Sequence, residues 1–268
     1  MDRTEDNLSK GKGITVTVLG SGTCVPSLER SSCAVLMRIA GKELVFDAGP
    51  GTMRRLLEAG TDIYGIDYLF LSHFHPDHTA ELVPLLFANK YPDPHRRRKP
   101  LCVVGGGGLK RFFASLESVY GHWIQLAEDM IRFVDLDERH SWELRGDGFH
   151  VSAVPVEHNP ESVAFRIATS SGASVVYSGD TDYCDRLIAL AQNAGLLICE
   201  SAVPDEHKVP GHLTPAMAGE IATKANVKGL MLTHFYPVCG EADIAAQCRR
   251  TYTGPLILAE DLMTVQVT

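Results

Sequence analysis

The segment Leu71-Ser72-His73-Phe74-His75-Pro76-Asp77-His78 places four groups that ligate divalent cations within six residues, directly after an apolar run. In an extended backbone His73 and His75 fall on the same side. Pro76 favours a turn that brings Asp77 and His78 round to a neighbouring position. Two imidazoles can therefore serve one metal while a carboxylate and an imidazole serve another, a donor set that suits zinc and related divalent ions. A catalytic cation takes about three or four protein ligands and keeps a place for water. The rest of the chain offers His158, Asp180, His212 and His234, each just after a predicted strand or at a loop edge. Asp180 sits in Ser178-Gly179-Asp180-Thr181, where small neighbours allow close approach and its two oxygens can bridge two ions. His234 follows Leu230-Met231-Leu232-Thr233 in the same way. Donors gathered at strand ends are what a two-metal cleft requires.

The elements that must position these donors follow from the patterning. Ile14 to Leu19 alternates as a half-buried strand, and Cys33–Ile39 with Glu43–Phe46 reads as a hairpin around Ala40-Gly41-Lys42. Thr52 opens a helix that Gly60 closes. Strands are predicted over 68–71, 101–104, 149–156, 163–168, 174–177, 196–199, 230–232 and 256–258. Helices are predicted over 79–88, 109–119, 183–192 and 242–250, and from the Thr214-Pro215 cap to about Ala225. Residues 89–100 and 137–148 read as polar loops. Strand-rich blocks mixed with strand–helix units imply mixed sheets covered by helices. The expected organisation is a flexible tail over 1–13 and a single domain over 14–268.

Composition narrows the setting. The 268 residues carry 33 acidic and 25 basic side chains, a net charge of −8, and 45 % are hydrophobic. That excludes a mostly disordered chain and makes a general nucleic-acid coat a poor reading. No uncharged apolar run approaches the ~18 residues of a membrane span. The start, MDRTEDNLSKGKG, lacks a secretory pattern. Seven cysteines without C-x-x-C spacing fit a reduced, cytoplasmic protein. Cys102 and Cys199 lie in apolar runs, while Cys239, close to His234, has no assigned role. The densest basic run is His95-Arg96-Arg97-Arg98-Lys99. It reads as a solvated loop, with Arg96, Arg97 and Arg98 the candidate contacts should the substrate be polyanionic.

His73-Phe74-His75-Pro76-Asp77-His78 resembles the signature of the metallo-β-lactamase superfamily, and Phe46-Asp47-Ala48-Gly49-Pro50-Gly51-Thr52 resembles its aspartate turn. Tyr177-Ser178-Gly179-Asp180-Thr181, Gly211-His212-Leu213-Thr214 and Leu232-Thr233-His234-Phe235 are similar to the branch containing ribonuclease Z, the tRNA 3′-end endonuclease. Pro100 to Gly105 and Ala259 to Met263 also resemble that branch. The resemblance runs from about Ile14 to the C-terminus. It implies an α/β fold, an αββα sandwich of two mixed β-sheets flanked by helices. It assigns one metal to His73, His75, His158 and Asp180, and the other to Asp77, His78, His234 and the shared Asp180. Asp47 would stand behind the metals and orient a ligand histidine. Glu200 and His212 resemble a proton-delivery pair. Two Zn2+, or Mn2+, and a homodimer are implied in the same way.

The chain departs from ribonuclease Z between His158 and Asp180. Only 21 residues separate them, all needed for two short strands, which leaves no tRNA-clamping arm. Leu213 replaces the usual Ser after His212, and Tyr236-Pro237-Val238-Cys239 replaces a polar-basic ending. The expected function is a cytoplasmic dinuclear hydrolase that cleaves phosphodiesters, with RNA or tRNA precursors or small cyclic and other nucleotides as substrate. Asp77 would hold one metal and steer the attacking hydroxide, and His212, oriented by Glu200, would protonate the leaving oxygen. Lactone, β-lactam or sulfate-ester hydrolysis is the alternative chemistry. Asp180 in place of a bridging-site Cys and the missing export signal speak against a β-lactamase. A non-catalytic metal-stabilised binding protein is the alternative of another class, against which stand the full ligand set, His212 and Glu200.

Overall fold

The computed structural model describes residues 13–90, 97–136, 142–146 and 148–268. The tail expected over 1–13 lies outside the described residues apart from Gly13. Strands β1 (Ile14–Gly20), β2 (Ala34–Ile39), β3 (Lys42–Phe46), β4 (Tyr68–Leu71), β5 (Leu101–Gly105) and β6 (Ile131–Asp135) line up in chain order as one sheet. The second sheet holds β7 (Trp142–Gly146), β8 (Phe149–Pro155), β9 (Val163–Thr169), β10 (Ser174–Tyr177), β11 (Leu196–Glu200), β12 (Leu230–Thr233) and β13 (Leu256–Leu258). Strand β14 (Thr264–Val267) returns to the first sheet and pairs with β1. Each sheet changes from antiparallel to parallel pairing at one strand, β3 in the first and β10 in the second.

Helices α1 (Thr52–Glu58), α2 (Pro76–Thr79), α3 (Leu82–Lys90) and α4 (Leu109–Tyr120) belong to the first half. Helices α5 (Asp185–Leu190), α6 (Pro215–Lys224) and α7 (Ile244–Arg249) belong to the second. The packing has three apolar layers. The middle one joins the two sheets and includes Phe46, Phe70, Phe165 and Tyr177. Phe46 stacks on Phe70 at 4.8 Å between ring centroids, and Phe165 meets Phe70 edge-on at 5.2 Å. The outer layers seat the helices of each half on the far face of its own sheet. Strands β5, β10, β11 and β12 are buried along their whole length. Covered on both faces, they read as continuous apolar runs, as sandwiched parallel strands do. This is the αββα sandwich expected from the sequence, the metallo-β-lactamase fold. No described helix is long and apolar enough to cross a membrane.

The hairpin forms as expected, with Ala40 and Gly41 both at positive φ (51° and 75°) and Ile39 paired with Lys42. Such a two-residue turn matches the strand twist. Two expectations are corrected. The predicted polar loop over 137–148 contains β7, paired antiparallel with β8 at the sheet's edge, where one face can stay polar. The helix expected over 79–88 is divided into α2, opened by Pro76, and α3. Strands β6 and β14, both at edges, had no sequence prediction.

Candidate metal centre

The donors converge at the ends of strands from both sheets. His73 and His75 follow β4, and α2 carries Asp77 and His78; Asp180 follows β10 and His234 follows β12. Gly49 makes room, since a Cβ there would lie 2.0 Å from the Asp77 carbonyl oxygen. Gly179, at φ 57°, does the same beside Ser72. His234 itself adopts φ 61°, as does Asp47. Left-handed backbone at residues other than glycine is costly and concentrates at functional sites.

One ligand group gathers His73, His75, His158 and Asp180, a second Asp77, His78 and His234, and a third Asp180, His212 and His234, with donor atoms within 4.8 Å of one another in each. Asp180 stands between the histidines, with Oδ1 3.3 Å from His78 Nε2 and 3.4 Å from His234 Nε2. Its Oδ2 lies 3.7 Å from His73 Nε2 and 4.0 Å from His158 Nε2. Asp77 Oδ2 lies 3.7 Å from His234 Nε2. The structure thus brings together all seven ligands expected from the sequence.

The hydrogen bonds behind these rings determine which nitrogens face the cleft. His78 Nδ1 donates to Asp47 Oδ2 at 2.7 Å, and His158 Nδ1 donates to the Gly211 carbonyl at 2.8 Å. In the neutral form that ligates a cation, which His78 reaches by giving up its Nε2 proton, each ring turns a lone pair on Nε2 inward. Those lone pairs face other ring nitrogens, His234 Nε2 and His75 Nδ1, each at 3.3 Å. His73 Nε2 and Asp180 Oδ1 are buried and have no hydrogen-bond partner. Buried polar atoms are normally paired. Convergent lone pairs and orphaned acceptors fit two divalent cations, and the imidazole and carboxylate donors suit zinc or manganese.

The electrostatics agree. Burial pushes the His73 pKa down to about 2, helped by the positive field of His78. Burial opposes charge on His78, but Asp180 and Asp47 outweigh it and raise its pKa. Burial likewise opposes ionisation of Asp77 and Asp180, yet the surrounding histidines hold both carboxyls low, Asp77 at about 2. The carboxylates are ionised and ready to bind cations.

Asp47 takes the supporting place expected of it. It is fully buried and accepts hydrogen bonds from the Ser72 amide (2.7 Å), Ser72 Oγ (2.8 Å), the Tyr177 hydroxyl (2.7 Å) and His78. Ser72 and Tyr177 were not singled out in the sequence; a Tyr ending a buried strand needs a polar partner and was the available signal. Asn159, whose amide is 3.1 Å from His75 Nε2, and Asp182 were missed as well. Asp182 Oδ2 accepts from the Gly211 amide and from Lys208, both at 2.9 Å. It so steadies the turn whose carbonyl holds His158.

His212 and Glu200 also meet. Nδ1 lies 3.0 Å from Glu200 Oε1, and the ring stacks on His234 with centroids 5.6 Å apart. Glu200 is buried to 1 % exposure. Burial opposes charge on His212, but Glu200 and then Asp180 raise its pKa to about 9.

The basic run does not join this centre. Arg97 is 4 % exposed and donates to Asn89 Oδ1 (2.7 Å) and to the carbonyls of Ile66 (2.8 Å), Ile63 and Lys99 (both 3.1 Å). Four of its five N–H donors are taken up before β4, at the end opposite His73, and its burial there corrects its reading as a phosphate contact. Arg98 is exposed in the same segment, and Arg96 lies outside the described residues. Cys239 is buried, its thiol donating to the Ala202 carbonyl, and burial pushes its pKa up to about 11, so its place is structural.

Comparison with known proteins agrees with this geometry. The β-lactamase superfamily domain matches residues 42–235. Ribonuclease Z of Mycobacterium sp. (strain KMS) is 30 % identical over 278 residues, covering 95 % of this chain and 96 % of that protein. The crystal structure of the metallo-β-lactamase fold protein YhfI from Bacillus subtilis superposes with a TM-score of 0.80 at 23 % identity, covering 95 % of this chain and all of that one (100 %). The short form of human tRNase Z gives 0.76 at 26 % identity, covering 95 % and 99 %.

Proposed function

The chain belongs to the metallo-β-lactamase superfamily, and from that membership we propose that it is a dinuclear metal-dependent hydrolase that cleaves phosphodiester bonds. The observation that carries the reading is His212. Its Nδ1 is held by a buried carboxylate, so Nε2 is the nitrogen left for substrate, and it stands against the ligand histidines. Two divalent cations in this cleft would supply Lewis acidity toward a water and toward the phosphoryl oxygens. Asp77 orients the attacking water, which gives up a proton to solvent as it attacks. As the new P–O bond forms and the ester P–O bond breaks, His212 Nε2 gives its proton to the departing oxygen. Glu200 holds the ring in place through Nδ1 and balances its charge. The products are a phosphomonoester and an alcohol.

A second reading concerns substrate size. The interval from His158 to Asp180 is filled by β9 and β10 joined by a tight turn. That interval has no room for an arm to clamp a tRNA, and this favours small cyclic or other nucleotide phosphodiesters over tRNA precursors. The wider reading is of a cytoplasmic protein of one domain spanning 14–268 that pairs as a homodimer, and light scattering tests the pairing.

The decisive assay is hydrolysis of bis(p-nitrophenyl) phosphate by protein stripped with chelator and reloaded with zinc or manganese. Turnover is expected to return with the metal. Two bound metals without turnover would move the reading to ester, lactone or sulfate-ester chemistry, or to a binding role.

A further inference from the structure

A cavity of about 380 Å³ opens beside the metal cleft, between the loop after β1 and the segment from Phe235 to Ala245. Tyr236 is the wall common to both. It lies two residues past the ligand His234, its ring is 6.0 Å from that of His234 and 6.4 Å from that of His212, and its hydroxyl meets Cys24 Sγ at 3.6 Å. The wall is fixed from behind, since the Phe235 amide donates to the Ser21 carbonyl and the Tyr236 amide to the Ala202 carbonyl. Tyr236 thus stands between the metal ligands and the cavity, so a group joined to a phosphate in the cleft would reach the cavity past this ring.

The lining states what kind of group that is. Val25, Phe235 and Ile244 provide apolar surface beside Tyr236. Arg30 is carried over the Phe235 ring at 4.8 Å and donates to two neutral oxygens, Ser21 Oγ (2.6 Å) and the Ala259 carbonyl (2.7 Å). Against this one cation stand the carboxylates of Glu29 and Asp243. The cavity has no surplus positive charge to receive a second phosphate. Aromatic and guanidinium surfaces with scattered polar groups suit an uncharged planar heterocycle.

We propose that this cavity binds the nucleobase of the substrate, so that the enzyme acts on phosphodiesters of a single nucleoside rather than on a polynucleotide chain. The inference rests on the phosphodiester reading above for its link to catalysis, but its binding test does not need turnover.

The test is calorimetric titration of the zinc-loaded protein with nucleoside 5′-monophosphates and with ribose 5-phosphate. At least one nucleotide is expected to bind tenfold or more tightly than the sugar phosphate. Ala245→Trp, which fills the cavity from α7, and Val25→Trp, which fills it from the opposite loop, should each abolish that difference. Two variants from separate elements guard against one that fails to fold. Equal affinity for nucleotide and sugar phosphate, no binding of either, or a base preference that survives both substitutions overturns the proposal. Base preference without hydrolysis of bis(p-nitrophenyl) phosphate would keep the cavity and discard the reaction; hydrolysis without base preference would do the reverse.

Discussion

Asp47 and Asp180 stand just past corresponding strands, β3 and β10, each the place where its sheet changes from antiparallel to parallel pairing. Both are buried. Asp47 has four donors within 2.8 Å. Asp180 has ring nitrogens at 3.3 Å and beyond, and its Oδ1 has no hydrogen-bond partner. Equivalent positions in two similar sheets thus carry one carboxylate that is saturated by the protein and one that is not. A saturated carboxylate holds structure in place. An unsaturated one awaits a cation, because a buried charge left unpaired is costly.

Replacing the unsaturated member should have the largest effect on function. Asp180→Ala is expected to lose metal and turnover together, measured by metal analysis beside the phosphodiester assay. Next comes His212→Ala, which should lower kcat by about 10²–10⁴-fold while keeping both metals. Full metal loss in that variant would end its assignment as proton donor. Replacing the saturated member probes the other side of the contrast. Asp47→Ala strands the Tyr177 hydroxyl and releases His78, so metal affinity should fall about 10–100-fold and stability by about 3 kcal/mol. Tyr177→Phe removes one of the four bonds and should cost about 1 kcal/mol in denaturant unfolding, with metal content intact.

A third aspartate sharpens the contrast with the smallest change. Asp67, before β4, accepts from the Glu43 amide (3.0 Å), Lys99 (2.9 Å) and Lys42 (3.2 Å). Burial opposes its charge, but these donors hold its pKa below the ordinary value. A carboxyl with a lower pKa in the folded state contributes stability above its unfolded pKa, about 4, and loses it as pH falls through the folded value. Asp67→Asn should therefore lower stability at pH 7 and flatten the acid limb of an unfolding profile, with turnover unaffected.

What was legible in the sequence was local. Four ligands fall in one six-residue run, and Asp180 and His234 follow apolar strands whose ends can be recognised. The partners of Asp47 were not legible, because Ser72 and Tyr177 are 25 and 130 residues away: Ser72 meets it when β4 pairs with β3, and Tyr177 only when the sheets stack. Arg97 was misread for a related reason. A basic run looks solvated, yet the carbonyls of Ile63 and Ile66 present acceptors that draw one of its guanidiniums inside. Strand β7, at an edge, has the polar character of a loop.

The ligands also divide by sheet. His73, His75, Asp77 and His78 come from the first half of the chain, and His158, Asp180 and His234 from the second. The cations would therefore act as rivets between two halves that are also joined by an apolar seam, the Tyr177–Asp47 hydrogen bond and the return of β14 to β1. Each ion that binds only the assembled form adds RT ln(1 + [L]/Kd), about 2.7 kcal/mol at a free concentration of 100 Kd. The unfolding temperature becomes a reporter of metal supply, and chelation should loosen the seam between the sheets before it disturbs either sheet alone.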